Sequence, residues 1–292
     1  MAGSEMNSLW MVAASFLFAC MGVCVKLAAA RYSAAEIVFY RSVISLALMV
    51  IIMRLQGVAF RTAHWRRQAF RGVSGFISLV LYFYAIAMLP LATAVTLNYT
   101  SPLFLTLYLA AFGAMALERR LVVVLGIGFL GVVMLLKPTL GADQWMGGLI
   151  GLGSGVLAGL AYFNVRALGQ LGEPEARTVF YFSLLSSAGG ALWMLFFSFH
   201  ALDGEGIALL LGVGVFATLA QLAMTRSYRA GNPLVSASLA YTAVPFATVF
   251  GVVIWGETLT LNGMVAMLVI ALSGIAATAM SRTRPINPAE QD

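Results

Sequence analysis

The sequence predicts an all-α integral membrane protein, with ten transmembrane helices arranged as two inverted five-helix repeats. Three observations carry that reading. Of the 292 residues, 61% are hydrophobic and only 10% are charged, whereas a soluble domain carries about 25% charged residues. Apolar windows of about 20 residues recur from end to end, each long enough to cross a hydrocarbon core of about 30 Å as a helix. The stretch VFYRS at 38–42 returns as VFYFS at 179–183, the first of several landmarks that repeat at nearly one offset.

The spans follow in order. The first, 8–30, is too long for a signal-peptide core, and the residues ahead of it, MAGSEMN, contain no basic side chain, so it reads as a retained span. Its Cys20 and Cys24, one turn apart, read as small apolar packing residues. The second, 34–54, holds Arg41 inside an otherwise apolar run. A connection at 54–71 places five arginines among Val58, Phe60, Trp65 and Phe70. It reads equally well as a basic amphipathic segment on the membrane surface and as an irregular solvated loop. The third span, 72–90, carries Ser78 and Tyr82 one turn apart. The fourth, 91–117, places Asn98, Tyr99, Thr100 and Ser101 ahead of Pro102, and the fifth is 121–137. The sixth, 146–167, has Gly147, Gly151, Gly155 and Gly159 at every fourth position. That stripe lets a neighbouring backbone come close, either as a sliding surface or as static tight packing. With no strand before it, the stripe is not a phosphate-cradling loop. Tyr162 and Asn164 follow on the same span. The seventh is 177–199, and the eighth, 207–228, carries Gln221. The ninth, 231–256, has Tyr241 and Thr242 ahead of Pro245, and the tenth is 260–281.

Val38 and Val179 are 141 residues apart; Pro90 and Pro233, Pro102 and Pro245, and Gly131 and Gly274 are each 143 apart; Lys26 and Arg166 are 140 apart. Several landmarks in order at one offset indicate a tandem duplication, with repeats at 8–137 and 146–281 and a cytoplasmic tail at 282–292. The interval from Pro102 to Glu118 is 16 residues and that from Pro245 to Glu257 is 12, which suggests one extra helical turn in the first copy. Five spans is an odd number, so the second copy enters the membrane from the opposite face. With the N-terminus in the cytoplasm, thirteen arginines, Arg54, Arg71, Arg119 and Arg229 among them, fall inside, against Lys26, Arg31 and Lys137 outside. This bias puts both termini in the cytoplasm. Glu36, Asp143, Asp203, Glu205 and Glu257 gather outside. Inverted repeats place a site near the midplane and supply two access states, which favours a transporter.

The segments LPLATAVTLNYTSPLF…LE at 89–118 and NPLVSASLAYTAVPFATVFGVVIWGE at 232–257 resemble the paired fourth spans of the drug/metabolite transporter superfamily, EamA type. Within it the chain is similar to the YddG-type exporters of aromatic amino acids and related metabolites. The resemblance covers nearly the whole chain. It implies a central cavity lined or gated by the first four spans of each half, fifth spans as scaffold, and export from the cytoplasm across the cell (inner) membrane.

Deep polar side chains are the substrate-binding candidates, because unpaired polar groups are costly in hydrocarbon: Ser78, Tyr82, Asn98, Tyr99, Tyr162, Asn164, Gln221 and Tyr241. Pro102 and Pro245 mark helix kinks. Each either bends a polar stretch towards substrate or makes an ordinary kink capped by Ser and Thr. The set is aromatic and amide-rich, with no charge expected near the centre, and suits an aromatic or amphipathic solute. Drug-like cations or sugars are the alternative cargo, and a channel or scaffold the alternative class. Glu36, Glu118 and Glu257 all fall at span ends, so no embedded carboxylate is expected to couple protons. Histidines 64 and 200 sit in loops, which leaves no catalytic set, no metal site and no cofactor site. The net charge of +6 sits at span ends, as the positive-inside rule asks, and does not call for nucleic acid. The partners are a small-molecule substrate and the bilayer, and a monomer suffices to enclose the cavity. Arg41 lies about 10 Å below the outer start of its span. It either snorkels towards Glu36 or Glu205 or faces an outer vestibule as a gate or a carboxylate partner. Phe182 is its counterpart in the second copy.

Overall fold

The computed structural model describes residues 2–89, 91–113, 118–137, 144–256, 258 and 260–282. Pro90, Asp143, Glu257, Arg284 and the tail beyond 282 lie outside the described residues. The described chain forms twelve α-helices: α1 (Ala2–Ala28), α2 (Ala34–Leu55), α3 (Trp65–Met88), α4 (Leu91–Asn98), α5 (Ser101–Ala111), α6 (Arg119–Leu136), α7 (Trp145–Gln170), α8 (Glu175–Met194), α9 (Gly204–Ala230), α10 (Pro233–Ala240), α11 (Ala243–Trp255) and α12 (Leu261–Arg282). The pairs α4–α5 and α10–α11 are each one span broken near its middle, so twelve helices make ten spans. Seven spans are apolar and long enough to cross a membrane by composition alone; α3, α8 and α4–α5 complete the ten.

Local chemistry sets the helix ends. Ser33 caps α2 and Glu36 returns the bond to the Ser33 N–H, a capping box. Asp203 caps α9 through the Gly206 N–H, and Asn232 caps α10. α11 ends at Gly256, whose φ of 64° is left-handed backbone that glycine adopts without a Cβ penalty. Outward faces are apolar: Val123, Ile127, Leu130 and Met134 run along α6 at helical spacing, all exposed, as a lipid-facing stripe requires. The opposite face of α6 presents Gly128 and Gly131 to Ser273 and Ile270 of α12.

The principal contacts come in mirrored sets: α1 against α9 and α3 against α7; α2 against α9 and α8 against α3; α11 along α1 and α5 along α7. Exchanging each helix for its counterpart in the other half turns one member of every set into the other. The α2–α8 and α6–α12 contacts map onto themselves, as contacts do at a two-fold axis. Symmetry-related residues touch only near that axis. Arg41 and Phe182 do so, the guanidinium carbon lying 6.0 Å from the ring centroid. Tyr99 and Tyr241 do so as well, with ring centroids 6.3 Å apart. The axis therefore marks the centre of the molecule.

Three expectations are corrected. The third span begins at Trp65 rather than 72, which carries Arg71 into the helix. The 54–71 connection is neither a surface helix nor a free loop. Its first part is pinned to α8, with the Phe60 ring 5.1 Å from that of Phe180 and the Ala59 carbonyl accepting from Arg177 Nε at 2.8 Å. The extra residues after Pro102 do not lengthen the helix: α5 has 11 residues and α11 has 13, and Gly113, with φ 59°, follows the end of α5.

Candidate functional site

The two broken spans meet near the axis. In the first, the break falls at Tyr99–Thr100, and Thr100 Oγ1 donates to the Leu97 carbonyl at 2.6 Å. In the second it falls at Tyr241–Thr242, and Thr242 Oγ1 donates to the Leu239 carbonyl at 2.6 Å. Both breaks precede the prolines: Pro102 is the second residue of α5 and Pro245 the third of α11. The glycine stripe of α7 lies against this break. A Cβ on Gly155 would stand 2.7 Å from the Leu97 carbonyl oxygen and would overlap Thr100 Oγ1. On α1, Ser15 lies against the second break, its hydroxyl 3.4 Å from the Leu239 and Ala240 carbonyls.

Around the axis stand Tyr82 of α3, Tyr99 at the α4–α5 break and Tyr162 of α7. All three keep part of their surface accessible. Tyr99 lies within electrostatic range of both other tyrosines. Tyr162 stacks on Tyr228, with centroids 5.1 Å apart and planes at 19°. Two cations stand beside these rings. Arg71, 2% exposed, lays its guanidinium carbon 3.8 Å from the Phe182 centroid and donates from Nη2 to Gln221 Oε1 at 3.1 Å. Arg41, 8% exposed, faces the same ring. Neither Nε has a hydrogen-bond partner among the described residues. Both guanidinium groups act on Tyr162 electrostatically, and each is within range of the other.

This overturns the expectation that no charge lies near the centre. Arg71, assigned by sequence to the inner surface, is brought inward by the earlier start of α3. The signal was present: Arg71, Gly75, Ser78 and Tyr82 recur at helical spacing on one face. Gly75 makes room, since a Cβ there would stand 2.9 Å from Arg71 Nη1 and 3.1 Å from the Phe182 ring. Arg41 does not snorkel outward. Glu36 is taken by the His200 N–H at 2.6 Å and by His200 Nδ1 at 2.7 Å, and Glu205 by Arg31.

The remaining candidates lie elsewhere. Ser78 Oγ donates to the Ser154 carbonyl at 2.7 Å and Asn98 Nδ2 to Ser154 Oγ at 3.1 Å, tying α3 and α4 to α7. Asn164 Nδ2 donates to the Leu160 carbonyl of its own helix at 2.9 Å. Tyr241 is fully buried against Tyr99 and Phe129.

The EamA-like transporter family matches residues 6–137 of the chain. The pseudopaline exporter CntI of Pseudomonas aeruginosa is 35% identical over 278 residues, covering 94% of this chain and 95% of that protein. The chain belongs to the EamA-like transporter family. A riboflavin transporter of Brucella anthropi is 23% identical, covering 86% of this chain and 91% of its own length. A crystal structure 19% identical in sequence superposes with a TM-score of 0.85, covering 96% of this chain and 99% of that one, which shows the fold. The protein is thus a multi-pass membrane transporter and not an enzyme.

Two clasps close this EamA-like transporter at opposite ends. At one, Arg31 in the α1–α2 turn holds Asp203 and Glu205, each at 2.6 Å. The Gly206 N–H and then Arg31 hold the Asp203 carboxyl below the usual range, and the two carboxylates raise the Arg31 guanidinium. At the other, Glu173 in the α7–α8 turn accepts from Thr62, Gln68 and Arg177. The two clasps join corresponding loops of the two halves. Beside the second lies a cleft of about 410 Å³ lined by Arg67, Leu109, Phe112, Phe163, Arg166, Ala167 and Gln170.

Proposed function

We propose that the protein is an alternating-access exporter of small amphipathic metabolites, aromatic or hydrophobic amino acids and related compounds among them. The two repeats, 8–137 and 146–281, rock about the axis, with both termini in the cytoplasm and the chain in the cell (inner) membrane. The observation that supports the reading best is the cluster of part-buried tyrosines near the axis, Tyr82, Tyr99 and Tyr162, with Arg41, Phe182 and Gln221 beside it. Aromatic walls stack a ring or cover apolar surface, and their hydroxyls orient polar groups. A guanidinium supplies a partner for a carboxylate. Ser78, Asn98 and Asn164 hold the lining helices in register, Tyr241 backs Tyr99, and the breaks before Pro102 and Pro245 give the two halves matching flexible points. The carrier reading needs no embedded carboxylate.

A second reading, export of pseudopaline or a compound of its kind, is favoured by the 35% identity to the pseudopaline exporter over nearly the whole chain. Transport by purified protein in liposomes tests the first. Tyr82→Ala and Tyr99→Ala, each eluting as a folded species, should lose saturable counterflow of phenylalanine or a related aromatic solute. Wild-type kinetics in both variants would remove the proposed site.

A further inference from the structure

Two buried cations stand at the axis, and among the described residues no carboxylate pairs with either. Arg41 and Arg71 each have less than a tenth of their surface exposed, and each leaves Nε without a partner among the described residues. Five described acidic groups near the helix ends are committed elsewhere: Glu36 to His200, Asp203 and Glu205 to Arg31, Glu173 to Arg177, and Glu175 to Arg229. The Phe182 ring, near both guanidinium groups, offers cation–π contact, and Gln221 one neutral acceptor. Neither supplies charge. An unpaired buried cation is costly within a membrane protein, and here two like charges share one space.

Buried charges that lack a counter-charge in the free state are poised for a ligand. Guanidinium groups bind carboxylates through paired, charge-assisted hydrogen bonds. A zwitterionic amino acid brings one carboxylate and one ammonium, so it would leave the centre as positive as before. A solute of net charge about −2 would neutralise it. The nearby cleft has the same sign: Arg67 and Arg166 line it towards the end of α7, and Arg166 lies one turn beyond Tyr162, so that face attracts anions.

We infer that Arg41 and Arg71, both close to the Phe182 ring, form an anion subsite that selects cargo with two carboxylates attached to an apolar or aromatic body. This rests on the transporter reading above and narrows its substrate class from amino acids to organic dianions. The tyrosines Tyr82, Tyr99 and Tyr162 receive the body, and the two arginines receive the acidic groups.

The test uses full-length protein in nanodiscs and four ligands sharing a phenyl ring: phenylsuccinate with two carboxylates, hydrocinnamate with one, zwitterionic phenylalanine, and phenyl phosphate. Phenylsuccinate should bind about tenfold or more tighter than hydrocinnamate and phenylalanine, as one further charge-assisted contact provides. Arg41→Gln or Arg71→Gln should remove that advantage, bringing phenylsuccinate down to about the affinity of hydrocinnamate. Without ligand, each Gln variant should melt no lower than the wild type, because an unpaired charge has been removed; a structural arginine would give the opposite shift. Should a Gln variant fail to fold, Arg41→Lys and Arg71→Lys keep the charge and should keep the ligand ranking at reduced affinity. Equal affinity across the charge series, an advantage that survives both Gln variants, or tighter binding of phenyl phosphate than of phenylsuccinate would overturn the assignment. A flat charge series with transport still lost in Tyr82→Ala and Tyr99→Ala sinks the subsite alone. Arginine-dependent phenylsuccinate binding with normal transport in the tyrosine variants sinks the proposed tyrosine site alone.

Discussion

Replacing Gly155 by alanine adds one methyl group where α7 meets the break of the fourth span. The new Cβ would stand 2.7 Å from the Leu97 carbonyl oxygen and would overlap Thr100 Oγ1. The carbonyl is backbone, and the threonine hydroxyl is already bonded to it, so neither rotates away. Overpacking of this kind costs about 1–3 kcal/mol. Alanine recovers up to about 1 kcal/mol of helix propensity, which leaves a net loss of about 1–2 kcal/mol, or a few degrees of melting temperature. Two controls sit on the same helix. At Gly153 a Cβ meets only Leu81 Cδ1, at 3.5 Å, so Gly153→Ala should be neutral or slightly stabilised. At Gly147 the nearest atoms belong to the Leu89 side chain, at 2.8 Å, which can shift, so Gly147→Ala should fall between the other two. Thermal unfolding of the three purified variants, followed by tryptophan fluorescence, gives the ranking. Equal melting of Gly155→Ala and Gly153→Ala would refute the close-approach argument. Transport measured well below the melting temperature separates the two roles of the stripe. Static packing leaves the rate of the folded fraction intact, whereas a sliding surface loses it.

Removing the break caps in Thr100→Val and Thr242→Val should each cost about 0.5–1.5 kcal/mol; the two effects should match because the geometry is mirrored, and thermal melts of both variants check this. Asp203 sets one pH response: its carboxyl is held below the usual range, first by the Gly206 N–H and also by Arg31. The unfolded chain therefore binds its proton first as pH falls, so the stabilisation is present above about pH 4 and is lost as pH drops through the lowered native value. Melting temperature measured against pH in the wild type and in Asp203→Asn should show that dependence shrinking in the variant. An unchanged slope would remove the clasp from the account.

The spans were legible because apolar length and the repeat offset are written in the order of residues. Val38 and Val179 already pair the two second spans of the halves, and the structure brings their neighbours Arg41 and Phe182 to one point. The broken fourth and ninth spans were legible from Tyr99–Thr100 and Tyr241–Thr242, although the breaks fall at these residues and not at the prolines. Arg71 was not recognised because its basic neighbours Arg66 and Arg67 made it look like part of a surface cluster. Charge in a short window marks a membrane face well and says little about which way one side chain turns once the helix starts a turn or two earlier.

Counterflow in liposomes holding only the purified protein tests the central claim most directly. With no pH gradient, internal unlabelled solute should accelerate the saturable uptake of external labelled solute, and Arg41→Gln should abolish the acceleration for phenylsuccinate. Linear uptake indifferent to internal solute, or concentrative uptake driven by an imposed pH gradient alone, would contradict an uncoupled alternating-access carrier with its site on the axis between the two repeats.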